Sequence, residues 1–248
     1  MKNMINSQSK SLSQNLRIAT VIFLVFIAGK SAFAQANTAI GTAKVWGTVD
    51  GIAIEGVVQG PSAQVSDLQV TCVFEYTEGD IFNSPPALPA ALNGLVHLDQ
   101  DMKGLLTEIR KSGKFLGHAN ETLLITPPKG TIGGKNLLLI GLGNRNQFTA
   151  ELMIGVGSVA MREALKLGVT NFAFASDLKD AGIDSPTALV AGNVVKGVVL
   201  ANRSEIYLRE HNLSKTKKLE KVYLLAGPAF FEVAGGGIQA AIAEVNKK

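Results

Sequence analysis

The sequence predicts an α/β sandwich built around a mixed sheet. Three short apolar runs, at 136–140, 171–175 and 222–226, alternate with longer segments whose apolar residues recur at helical spacing. Residues 136 to 175 form a complete strand–helix–strand unit, whose strands should be parallel and whose crossover should be right-handed. Alternation of this kind argues helices packed on a sheet, not separate all-α or all-β layers.

The elements follow in order. Ala43 to Gln59 is β-rich and punctuated by glycine, and Val65 to Tyr76 repeats the pattern, so both are read as strand segments. Asn83-Ser-Pro-Pro86 breaks the chain. Leu92, Leu95, Val96, Leu98, Met102, Leu105, Leu106 and Ile109 then keep helical spacing across 88–111, which predicts one long or kinked helix. Thr122 to Thr126 is a short strand closed by Pro127-Pro128, and the unbroken run Asn136 to Ile140 suits an interior strand covered on both faces. A helix is expected from about Gln147 to Leu167, capped by Gly168. Asn171 to Ala175 is the next strand, Pro186 opens a helix to about Ala201, Val222 to Ala226 is a further strand, and Phe231 to Val245 is a terminal helix.

Residues 1–34 read as a secretory signal peptide: Lys2, Lys10 and Arg17 precede an apolar run from Ile18 to Gly29, and Ala32-Phe-Ala34 supplies a small-x-small cleavage site. The expected destination is periplasmic or extracellular, without membrane attachment after cleavage. This leader holds four of the 24 basic residues and none of the 20 acidic ones, so the remainder carries no net charge and gives no reason to expect a nucleic-acid partner. The single cysteine, Cys72, has no intramolecular partner and sits in an apolar strand-like run, which reads as a buried structural thiol.

Chemical motifs are sparse. Gly141-Leu142-Gly143-Asn144 lies at a strand-to-helix turn, where glycine lets backbone amides approach a phosphate and a helix N-terminus adds its dipole, so these four residues are the candidate ligand site for a small anion. The alternative at the same residues is tight-turn geometry alone. The turn lacks the third glycine and distal acid of a dinucleotide fingerprint. His97, His118 and His211 are far apart and have no second ligand at metal-binding spacing. Asp177, Asp180 and Asp184 lack calcium-loop spacing, and Ser158 falls in a helix interior, not at a nucleophile elbow. Lys215, Lys217, Lys218 and Lys221 read as a solvated loop. No catalytic residue, metal or cofactor is assigned.

The segments Leu98-Asp99 to Gly104-Leu105-Leu106, Gly113-Lys114-Phe115-Leu116-Gly117-His118, Glu121-Thr122-Leu123-Leu124 and Leu138-Leu139-Ile140-Gly141-Leu142-Gly143 occur in that order. Together they resemble the N-terminal domain of the leucyl (cytosol) aminopeptidases, and the resemblance runs from about Asp67 to the C-terminus. His118 stands where that family usually has lysine. The resemblance implies a macro-domain-like α/β/α sandwich for 67–248 and leaves 35–66 unplaced, as an N-terminal extension or first strands. It also implies that the family's peptidase chemistry belongs to a C-terminal domain with two metal ions and an N-T-D-A-E-G-R motif, which these residues do not contain. The functions expected are a non-catalytic exported binding or regulatory domain, a macro-like binder of a phosphate-containing molecule such as a nucleotide or ADP-ribose, or the partner of a separate peptidase subunit.

Overall fold

The computed structural model describes residues 37–83, 88–175 and 178–247; the leader, the Pro85-Pro86 break and Asp177 lie outside them. Seven strands form one sheet in the order β1-β2-β7-β6-β3-β5-β4. These are β1 (Ala43–Val49), β2 (Ile52–Val58), β3 (Leu68–Val73), β4 (Thr122–Ile125), β5 (Leu137–Gly141), β6 (Asn171–Ala175) and β7 (Lys221–Ala226). The five central strands run parallel and the two edges, β1 and β4, run antiparallel to their neighbours, so the sheet is mixed as expected.

Asp50 and Gly51, both at positive φ (49° and 84°), form a two-residue turn that folds the β-rich 43–59 segment into the β1–β2 hairpin. The hairpin joins the sheet through β2 and β7, so residues that sequence reading left unplaced build one edge of the same sheet. Edge strand β1 is interrupted by a bulge between Val45 and Gly47, which limits open pairing along that margin.

Among the described residues six α-helices flank the strands: α1 (Asp80–Asn83), α2 (Gly94–Asp101), α3 (Leu105–Lys111), α4 (Leu152–Leu167), α5 (Thr187–Glu210) and α6 (Phe231–Val245). Every residue of β3 and β5 is buried, so both faces of the sheet are covered. Right-handed crossovers place α1–α3, between β3 and β5, on one face and α4 and α5 on the other, giving three layers. Strands β5 and β6 are parallel, as the strand–helix–strand unit predicts, but β3 lies between them.

The long or kinked helix expected over 88–111 takes the form of a 3₁₀ turn (Ala90–Leu92) followed by two helices, α2 and α3. Lys103 and Gly104 both adopt positive φ (58° and 81°), and the Asp99 carboxylate accepts from Thr107 N and Oγ1 at 3.1 and 2.7 Å, so a polar bracket turns the chain between the helices. Helix α5 runs nine residues beyond the expected end at Ala201, its last turns being more polar than its start.

Helices α4, α5 and α6 meet backbone to backbone. A Cβ on Gly197 of α5 would lie 2.0 Å from the Ile154 carbonyl oxygen of α4, and one on Gly237 of α6 would lie 1.9 Å from the Ala188 carbonyl oxygen of α5. Ser158 Oγ donates to Gly197 O at 2.9 Å inside this contact. The glycines that soften these helices in sequence are therefore what lets them pack side by side.

Candidate functional site

The sequence-predicted turn at Gly141–Asn144 is a packed joint. Gly141 ends β5; its N–H donates to Glu121 O at 2.8 Å, Leu142 N donates to Val73 O at 2.8 Å and Gly143 N donates to Gly117 O at 2.9 Å. All three residues are buried, and only Asn144 is exposed. A Cβ on Gly141 would lie 2.0 Å from the His118 carbonyl oxygen, so this glycine accommodates the 117–119 loop. The amides of Gly141, Leu142 and Gly143, three of the four candidate residues, are donating within the chain.

The helix expected from Gln147 also begins later. Asn144 accepts from Asn146 N at 2.9 Å and caps a 3₁₀ turn, Arg145–Gln147; Phe148 is then extended, and α4 starts at Leu152. Its dipole end is thus displaced from the glycines. The displacement does something else: it points the turn's Arg145 toward a crevice at the carboxyl end of β3.

That crevice sits at the switch point of the sheet. From β3 the chain leaves through α1–α3 toward β5 on one side, whereas from neighbouring β6 it leaves through α5 toward β7 on the other, and ligands of open α/β sheets bind where such connections part. The crevice is lined by Val73, Phe74, Asp80, Arg110, Arg145 and Ala181, among others, and its free space, about 10 Å³, is room for one water-sized group. A whole nucleoside far exceeds that space, so at most one small group of a ligand could enter it.

Its polar groups are built around Phe74, the residue following β3. Arg110, on the last turn of α3, is 1% exposed; Nη1 donates to Asp80 Oδ1 at 2.7 Å, Nη2 donates to Asp80 Oδ2 at 2.5 Å, and Nη2 also donates to Phe74 O at 2.9 Å. Arg110 Nε has no acceptor among the described residues. Arg145 is half-buried with its guanidinium carbon 5.3 Å from the centre of the Phe74 ring. Burial lowers the Arg145 pKa, the Arg110 charge lowers it further, and Asp80 raises it. The group stays protonated, but its charge is incompletely compensated: two guanidiniums share one carboxylate.

Sequence reading missed this constellation because its members lie some 30 residues apart and Arg110 occupies a last-turn position normally filled by an exposed basic residue. The available signal was helical spacing: Leu106 and Arg110 share the buried face of α3.

The remaining chemical candidates are tied into the fold. Cys72 is buried and its thiol pKa is pushed far up by desolvation. Asp180 Oδ2 accepts from Gly94 N at 2.8 Å, Asp184 pairs with Lys179, and His118 Nδ1 contacts Glu75 Oε1 at 2.9 Å on the surface. His97 and His211 lie apart from His118 in α2 and at the end of α5. No group of three His, Cys, Asp or Glu able to hold a metal ion occurs among the described residues.

Comparison with known proteins places this geometry. Among solved structures, an Oceanobacillus iheyensis macrodomain variant superposes with a TM-score of 0.51 at 11% identity, over 83% of this chain and 94% of that one, so the fold is macrodomain-like. A tomato leucine aminopeptidase variant superposes with a TM-score of 0.54 at 22% identity, over 88% of this chain and 40% of that one. The cytosol aminopeptidase family, N-terminal domain, matches residues 81–204, half of the sequence, and the chain belongs to that family. A probable cytosol aminopeptidase of Burkholderia orbicola is 28% identical over 170 residues, covering 67% of this chain and 32% of that protein. Another from Thermosynechococcus vestitus is 30% identical over 141 residues, covering 56% and 25%. The chain spans about a third or less of the length of these relatives.

Proposed function

We propose that this chain is an exported binding or regulatory domain of the cytosol aminopeptidase family that acts through the crevice at the carboxyl end of β3, without peptide-bond chemistry of its own. The observation that carries the reading is the crevice itself: a switch-point opening whose charged groups suit recognition, with Arg145 incompletely compensated beside the Asp80–Arg110 pair. Two of the groups weighed as nucleophile or acid, Ser158 and Asp180, are engaged in structural bonds, Ser158 to Gly197 O and Asp180 to Gly94 N. Export rests on the leader pattern of residues 1–34 and predicts a secreted form beginning at Gln35.

The partner proposed is a full-length peptidase of the same family, acted on by occupancy of this domain. Isothermal titration of the purified chain with a purified full-length cytosol aminopeptidase tests this. A saturable heat, or a changed KM of that enzyme for a leucine amide, supports the reading; neither at the highest attainable concentration overturns it.

A second reading is the macro-like one, in which a phosphate-containing small molecule such as a nucleotide or ADP-ribose is the ligand. The positive crevice favours it, whereas the engaged amides at Gly141–Gly143 and the small opening weigh against it. A thermal-shift panel of nucleotides and ADP-ribose separates the two.

A further inference from the structure

We propose that the crevice is a receptor for a single oxyanion group, a phosphate or a carboxylate, held directly by the Arg145 guanidinium over a floor fixed by Arg110 and Asp80. The proposal deepens the binding role given above and rests on it.

The charge count is the first support. Arg110 and Arg145 bring two permanent positive charges to the crevice and Asp80 brings one negative charge, which Arg110 engages through both Nη atoms. Arg145 has no carboxylate within ion-pair distance among the described residues, although it is half-buried. A partly desolvated cation without a counter-charge is costly, and burial with Arg110's repulsion lowers its pKa accordingly. An anion in the crevice relieves both effects.

The second support is an unmet donor. Arg110 is 1% exposed and its Nε–H has no acceptor among the described residues, a condition that buried guanidiniums rarely sustain. The third is rigidity. Phe74 accepts from Arg110 through its carbonyl and carries Arg145 on its ring, and that ring is itself held edge-on by Phe148 at 5.6 Å. Asn144 caps the short turn that bears Arg145. The guanidinium is therefore held in place before a ligand arrives, and its planar fork matches the two oxygens of a carboxylate or phosphate. Size sets the class: the free space, about 10 Å³, takes one water-sized group, so only an oxygen of a phosphate or carboxylate would enter and the rest of a larger ligand would lie outside.

The test is titration of the purified chain with sodium phosphate, acetate and N-acetyl-leucine at constant ionic strength, read by calorimetry and by the side-chain Nε–Hε resonance of Arg145. Saturable binding is expected, weakened at least about tenfold in Arg145→Ala and left unchanged by Arg162→Ala on the exposed face of α4. Phosphate binding without carboxylate binding identifies a phosphoryl source; N-acetyl-leucine binding tighter than acetate identifies a peptide carboxylate. Equal affinity in wild type and Arg145→Ala, or no binding tighter than about 100 mM by any of the three, overturns the proposal. Should Arg145→Ala fail to fold, an Arg145 resonance in the wild type that does not move with phosphate or carboxylate overturns it equally. Leucine-amide release by the same preparation is read separately: release would defeat the non-catalytic reading while leaving the oxyanion affinity standing.

Discussion

The carbonyl oxygen of His118 occupies the space that a side chain on Gly141 would need, 2.0 Å from the Cβ position. This contact seats the 117–121 loop against the end of β5, with Asn120 N donating to Gly141 O at 2.9 Å. Gly141→Ala must push that loop away, and backbone offers no flexible end to yield. Overpacking of this kind costs about 1–3 kcal/mol. Urea denaturation of the variant should show a lower midpoint with an unchanged slope, and an unchanged midpoint would refute the contact.

The α4–α5 seam should be equally intolerant. Gly197→Ala meets Ile154 O at 2.0 Å and Ser158 N at 2.8 Å, and it also disturbs the Ser158 hydrogen bond to Gly197 O. A loss of at least about 2 kcal/mol is expected by calorimetric or denaturant unfolding. Gly155→Ala on the same α4 is the contrast: its added Cβ meets only Asn120 Oδ1 at 3.7 Å, so stability should hold or rise slightly through helix propensity.

The buried pair under the crevice has a two-part prediction. Asp80→Ala strands the Arg110 guanidinium, 1% exposed, and should cost about 3–5 kcal/mol. The double change Asp80→Leu with Arg110→Met removes both charges and should cost clearly less than the single change. A double-mutant cycle by chemical denaturation measures the difference, and additive losses would mean that the pair is not coupled.

Asp67 gives the pH dependence. Lys135 Nζ lies 2.7 Å from its Oδ1, while Thr170 and Asn171 donate to Oδ2. The hydrogen bond from Lys135 is the leading cause holding its pKa below the ordinary 3.8, partly offset by burial. A depressed carboxylate stabilises the fold fully above the unfolded-state value, and the contribution is lost as pH falls through the lower folded-state value. Asp67→Asn should therefore be less stable than wild type at pH 7, and the gap should narrow as pH falls below about 4. A gap independent of pH would assign the loss to geometry alone.

How much of this was legible beforehand depended on whether the cause was local. Asn171–Ala175 and Phe231–Val245 coincide with the expected elements because each is a dense apolar stretch between clear breaks. The 88–111 segment reads as one long or kinked helix with its spacing interrupted at Gly94 and Gly104; the chain does turn at Lys103-Gly104, but the Asp99–Thr107 bracket that makes two helices of it is a tertiary side-chain choice. Glycine at 141 was recognised as special for the right geometric reason, close approach, but sequence could not show that a neighbouring carbonyl was what approached. Arg110, Asp80 and Arg145 were missed because only the folded connections bring α1, α3 and the turn after β5 to one end of β3.

The most direct test of the binding role is an assay of the purified chain, alone and with manganese, for release of leucine from a chromogenic amide. The expected rate is no greater than that of metal in buffer. Saturable, chelator-sensitive release proportional to the amount of chain would contradict it, showing that these residues carry peptidase chemistry themselves.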